Sequence, residues 1–224
     1  MTRILPAALA AVLLLAGTFI FIDRPGGLSE PLLVGAANAE EAGEIDISSI
    51  ADMVQGAEDA PVTIVEYSSY TCPHCANFAE GPYKKLKAEY IDTGKVRFIY
   101  REVYFDRYGL WASMIARCSG DPEKFFGITD LIFKGQSDWV RAGGPPEIID
   151  ELRKIGRLAG LENDTLEACL QDGTKAQTLV AWYQQHAEED DIKATPSFIV
   201  NGTPVKNQPW EDFKAIIDAE LAKQ

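Results

Sequence analysis

Hydrophobic spacing changes character several times along the chain. In "APVTIVEYSS" the run from Val62 to Val65 is β-branched and apolar and closes in small polar residues, the pattern of a buried strand. From Pro73 onward Phe78, Tyr83, Leu86 and Tyr90 recur at helical intervals, Pro82 predicts a bend, and Gly94 supplies a stop. "KVRFIYREVYF" then returns to strand period through Val96, Phe98 and Tyr100. Strand, helix and strand in this order imply a crossover, and hence a parallel or mixed sheet.

Residues 107 to about 190 carry no strand pattern. Five successive segments each show a helical apolar stripe, and Asp121, Pro146, Asn163 and Thr174 stand near helix starts. The sheet resumes at "PSFIVNGTPV", where Asn201-Gly202 is a strong two-residue hairpin signal. An amphipathic helix, "WEDFKAIIDAELAK", closes the chain. Neither an internal repeat nor a low-complexity tract is present.

The N-terminus reads differently. After Arg3 an uncharged apolar run extends from Ile4 to Ile22, and Ala37 and Ala39 form the small-x-small pattern of a signal-peptidase site. Residues 1–39 are therefore expected to be a signal peptide cleaved after Ala39, or alternatively a retained membrane anchor, since the run is about long enough to span a bilayer. Residues 40–60 read as a linker, and 61–224 as one domain with a helical insertion at about 107–190. Either fate of the N-terminus places that domain outside the cytoplasm. A count of 34 acidic against 21 basic residues, net charge -13, argues against nucleic acid as a partner.

Export changes the meaning of the four cysteines, because disulfides persist outside the cytoplasm. Cys72 and Cys75 are close enough to pair with each other, which leaves Cys118 with Cys169. For Cys72 and Cys75 three chemistries compete: metal binding, a static disulfide, and electron transfer. Zinc would need further ligands, and the only other histidine besides His74, His186, has no ligand-spaced companion, so no metal is expected. A disulfide across two residues closes too small a loop to constrain the unfolded chain much. Redox exchange fits better. Cys72 falls at a predicted helix N-terminus, where free backbone N–H groups and the helix dipole favour a thiolate. Pro73 starts that helix cleanly, and protonated His74 adds positive charge. Cys72 is then the nucleophile and Cys75 the resolving thiol.

These features together resemble the DsbA-like family of thiol:disulfide oxidoreductases, carried by "CPHC" at 72–75, Glu66 upstream and "ATPSFIVNG" at 194–202. The resemblance covers residues 61–224 and implies an α/β thioredoxin fold with an inserted all-helical domain. It implies further that Glu66 is a buried acid passing a proton to or from Cys75, the alternative being an exposed strand end. It implies that Pro196 is cis opposite the cysteines and that Thr195 meets an extended substrate. Tyr70, beside the motif, is the aromatic expected to line a peptide groove. Cys118–Cys169 reads as a structural staple joining two helices, with a second, regulatory redox pair as the alternative. The implied activity is donation of the Cys72–Cys75 disulfide to reduced exported proteins in the periplasm, without a cofactor, and regeneration by a quinone-linked membrane oxidase of the DsbB type. Two rivals remain: an isomerase or reductant of the same compartment, and a peptide-binding chaperone whose redox pair is incidental.

Overall fold

The computed structural model describes residues 45–224. The expectations about a signal peptide or anchor at 1–39 lie outside the described residues. Among the described residues no helix is long and apolar enough to cross a membrane.

The sheet has five strands: β1 (Met53–Gln55), β2 (Val62–Ser68), β3 (Val96–Glu102), β4 (Ser197–Val200) and β5 (Thr203–Lys206). Their spatial order is β1-β3-β2-β4-β5, so β2 is central. β2 and β3 run parallel, with Glu66 opposite Tyr100, whereas β4 joins β2 antiparallel, with Glu66 opposite Phe198. Alternation divides the residues of β2 between two faces. Val62 and Ile64 enter the main core with Phe98 and Phe198, and Val65 and Tyr67 meet Val103, Ile199 and Ile192 on the other side. Glu66 therefore shares the main-core face, where an acid needs special circumstances.

The helix expected from Pro73 is interrupted rather than bent. α1 (Pro73–Glu80) stops at Gly81, and α2 (Pro82–Leu86) starts on Pro82 and runs into a π-helical turn, Lys87–Ile91. Pro82 lacks the N–H that would continue the first ladder, which is why it opens a new helix. Phe78 of α1 packs on Phe198, with ring centroids 4.7 Å apart, and so fastens α1 to β4.

The chain from 107 to 189 is helical: α3 (Arg107–Ala116), α4 (Pro122–Lys134), α5 (Gln136–Trp139), α6 (Pro145–Leu158), α7 (Asn163–Gln171) and α8 (Gly173–Glu189). Asp121 caps α4 through the N–H groups of Glu123 and Lys124, with Pro122 in the first turn. Asp106 caps α3 in the same way. α6 and α7 meet tightly enough that a Cβ at Gly156 would come within 2.5 Å of Leu166 Cδ2. Asn201 and Gly202 both take positive φ, 45° and 80°, in the hairpin between β4 and β5. α9 (Trp210–Leu221) closes the main core with Trp210, Phe213 and Ile217. β1 was not visible in the periodicity, since three residues are too few to display one.

Candidate active site

β2 ends at Ser68 and α1 begins at Pro73, so the strand-to-helix junction Ser69–Cys72 is only four residues long and crowded with polar backbone. Cys72 is the N-terminal cap of α1, in extended conformation at φ -86° and ψ 119°. Its carbonyl accepts the first helical N–H bonds, from Cys75 at 3.1 Å and Ala76 at 3.2 Å. Its thiol is half-buried, and Sγ lies 3.5 Å from the Thr195 carbonyl oxygen.

Several donors favour the thiolate of Cys72. The largest contribution is a hydrogen bond from the Cys75 thiol; the backbone N–H groups of Cys75 and His74 add to it, and together they outweigh burial and hold the Cys72 pKa down to about 5. Cys75 is the opposite case. It is fully buried, and its Sγ accepts from the Ser69 N–H at 3.4 Å. Burial, followed by its bond to Cys72 and the charge of Glu66, pushes its thiol far above the usual range. The outer sulfur is acidic and reachable, and the inner one is neither.

Glu66 is 3% exposed, and burial pushes its carboxyl up to about 8. It borders a small cavity of about 30 Å³ that also touches Tyr83, Tyr100, Thr129 and Asp130. This acid is thus a group that changes protonation near neutral pH beside Cys75.

Pro196 is buried and cis to Thr195, and the loop that carries it faces Cys72. Beyond it runs a groove of about 550 Å³ bordered by His74, Ile192, Pro196, Pro204 and Val205. Pro73 and His74 are both exposed at the start of α1. Tyr70 requires a correction: it lines no groove. It is 1% exposed, its hydroxyl is 2.8 Å from Thr129 Oγ1, and its ring packs against Phe133 and Tyr100. Adjacency to the motif did not determine direction, and at the strand end this side chain turns inward to α4. Cys118 and Cys169 are bonded, with 5.7 Å between their Cα atoms, and link the turn after α3 to α7.

Two site residues escaped the sequence reading. The carboxylate of Asp106 accepts from Thr71 Oγ1 at 2.9 Å while capping α3, and its position before an apolar helical stripe was the available signal. Gln136 donates to the Tyr70 and Cys72 carbonyls, and no local pattern marks it. Among the described residues no three His, Cys, Asp or Glu side chains converge on a metal site.

Comparison with known proteins agrees with this geometry. The thioredoxin family model matches residues 48–219. Disulfide bond formation protein D of Bacillus subtilis is 30% identical over 172 residues, which cover 75% of this chain and 76% of that protein. The crystal structure of α-DsbA1 from Wolbachia pipientis superposes with a TM-score of 0.71 at 27% identity, covering 77% of this chain and 92% of the other. The chain belongs to the DsbA-like branch of the thioredoxin family. A second DsbA-like structure, oxidised BdbD of Bacillus subtilis, gives a TM-score of 0.66 at 28% identity and covers 76% of this chain and 93% of that one. A Rickettsia bellii protein named as a protein-disulfide oxidoreductase is 36% identical over 170 residues, 76% of this chain. The match spans only 64% of that relative's length.

Proposed function

We propose that this DsbA-like protein is an oxidant, donating the Cys72–Cys75 disulfide to reduced cysteines of exported proteins. A substrate thiolate attacks Cys72 Sγ; the Cys72–Cys75 bond breaks, and Cys75 leaves as a thiolate that takes up a proton. A second substrate thiolate then attacks the substrate sulfur of the mixed disulfide, and Cys72 leaves. The substrate has lost two electrons and the protein has gained them.

The acidity of Cys72 supports this direction. A sulfur with a pKa near 5 is a good leaving group, and an environment that stabilises its thiolate stabilises the reduced protein, which makes the disulfide oxidising. Cys75 needs the reverse provision. Buried, and with its thiol favoured over its thiolate, it requires a proton on leaving, and Glu66 titrates in the range where it can supply one. The groove beside Pro196 suits an extended peptide carrying the substrate cysteine. The periplasmic location rests on the Ile4–Ile22 run and the Ala37-x-Ala39 site. Regeneration by a quinone-linked membrane oxidase of the DsbB type belongs to the same proposal, supported by the resemblance at Cys72–Cys75 and Pro196.

The deciding measurement is the reduction potential of the Cys72/Cys75 pair in glutathione buffers. A value near about -120 mV, the range of DsbA, is expected; one near about -270 mV, the range of thioredoxin, would replace the oxidant by a reductant. Cys72→Ser should abolish turnover. Full activity in that variant would favour a peptide-binding role.

A further inference from the structure

Gln136 opens α5, 64 residues along the chain from Cys72, and is 6% exposed. Its amide nitrogen donates to two carbonyl oxygens, Tyr70 at 2.8 Å and Cys72 at 3.0 Å. These lie either side of Thr71, in the junction that delivers the nucleophile to the helix N-terminus. Among the described residues the Tyr70 carbonyl receives no other hydrogen bond, whereas that of Cys72 also takes the first helical N–H bonds of α1. Gln136 is itself firmly held: the buried Trp139 ring donates to the Ile132 carbonyl at 2.9 Å, and the Trp139 N–H to Gly135 O at 3.0 Å, which fix α5 on the end of α4.

We infer that Gln136 is a positioning residue for Cys72, through which the helical part of the molecule sets the acidity of the nucleophile and the potential of the pair. It touches neither sulfur. Its influence passes through the backbone in two ways. The donated bonds neutralise two carbonyl dipoles whose negative ends would otherwise oppose a thiolate nearby. They also fix the Cys72 backbone, which determines whether the His74 and Cys75 N–H groups converge on Sγ. A buried glutamine that merely satisfied its own hydrogen bonds would contribute to stability alone, and the two roles separate in experiment.

The redox part of this inference rests on the exchange chemistry proposed above; the acidity part does not. The full-length protein is compared with Gln136→Met, which keeps length and volume but donates nothing, with Gln136→Ala, and with Gln136→Lys, which restores donors. Thiolate absorbance during a pH titration of the reduced protein reports Cys72, equilibration with glutathione reports the potential, and denaturant unfolding reports stability. In both Met and Ala variants the Cys72 pKa is expected to rise, and the equilibrium constant for reduction by glutathione to fall by roughly 3- to 10-fold, the size of one net hydrogen bond. A tenfold change is about 30 mV for this two-electron couple. Met should lose less stability than Ala with a similar redox shift, and Lys should bring the pKa back to the wild-type value or below. Wild-type titration and equilibrium constant in Gln136→Met would overturn the inference whatever its stability. So would a Lys variant whose Cys72 pKa rises above that of wild type, which also covers the case where Met fails to fold. Because every variant is read against wild type, a thioredoxin-like potential in the parent would remove the oxidant reading and leave this test intact.

Discussion

Within one turn of α1 two sulfurs of the same chemical type are driven in opposite directions, and Glu66 completes the arrangement from the core, where burial favours its protonated form up to about pH 8. A carboxyl with a folded pKa near 8 and an ordinary value of 4.5 binds more protons when folded than when unfolded. Its burial therefore costs stability progressively as pH rises from about 4.5, and the cost levels off above about 8. Glu66→Gln should accordingly be indistinguishable from wild type in stability near pH 4. At pH 8 it should be more stable by on the order of a few kcal/mol, measured by denaturant unfolding. The same substitution should slow the release of Cys75 from the disulfide roughly tenfold or more in stopped-flow exchange, because the proposed proton source is gone. A stability difference that does not vary with pH would contradict the buried, protonated state. Cys72 and Cys75 could be identified from the sequence because their spacing is itself the chemistry, whereas Pro196 was legible only through the family resemblance, since no spacing ties it to them. The inward turn of Tyr70 and the reach of Gln136 could not be identified, because both depend on what packs against α4 and α5.

At the level of elements, the start of α4 was legible because Asp121, a short polar side chain, precedes Pro122 and an apolar helical stripe. The break at Gly81-Pro82 read only as a bend. Cys118–Cys169 closes a loop of 51 residues between the turn after α3 and α7. Most of its stabilisation comes from restricting the unfolded chain, so replacing both cysteines by alanine should lower stability by about 2–4 kcal/mol. Unfolding of the variant in urea checks this, and the Cys72/Cys75 potential should be unchanged if the bond is only a staple. A large shift in potential would instead assign it to regulation. α3 gives such coupling a physical route, since its N-terminal cap Asp106 holds Thr71 and its C-terminal end leads directly into Cys118.

Taken whole, a molecule with net charge -13 keeps a complete ion pair in its interior. Arg117 donates to Glu102 through Nε and Nη2, both at 2.6 Å, and through Nη1 to the Ala51 carbonyl at 2.9 Å. The pair thus joins β3, the end of α3 and the segment leading to β1. Arg117→Ala would leave a buried carboxylate unpaired and should cost about 3–5 kcal/mol in unfolding free energy, more than any exposed pair of this chain. The order of the sheet carries a further consequence. Thr195 follows Cys72 by 123 residues, and β4, the neighbour of β2, comes after every helix of the α3–α8 block. At about 5–20 residues per second the growing chain presents Cys72 and Cys75 roughly 6–25 s before the segment that completes their surroundings. α1, eight residues long, is too short to persist alone in that interval. A ribosome-bound chain therefore carries two ordinary thiols, and the acidic sulfur comes into being only when synthesis of the domain is nearly finished.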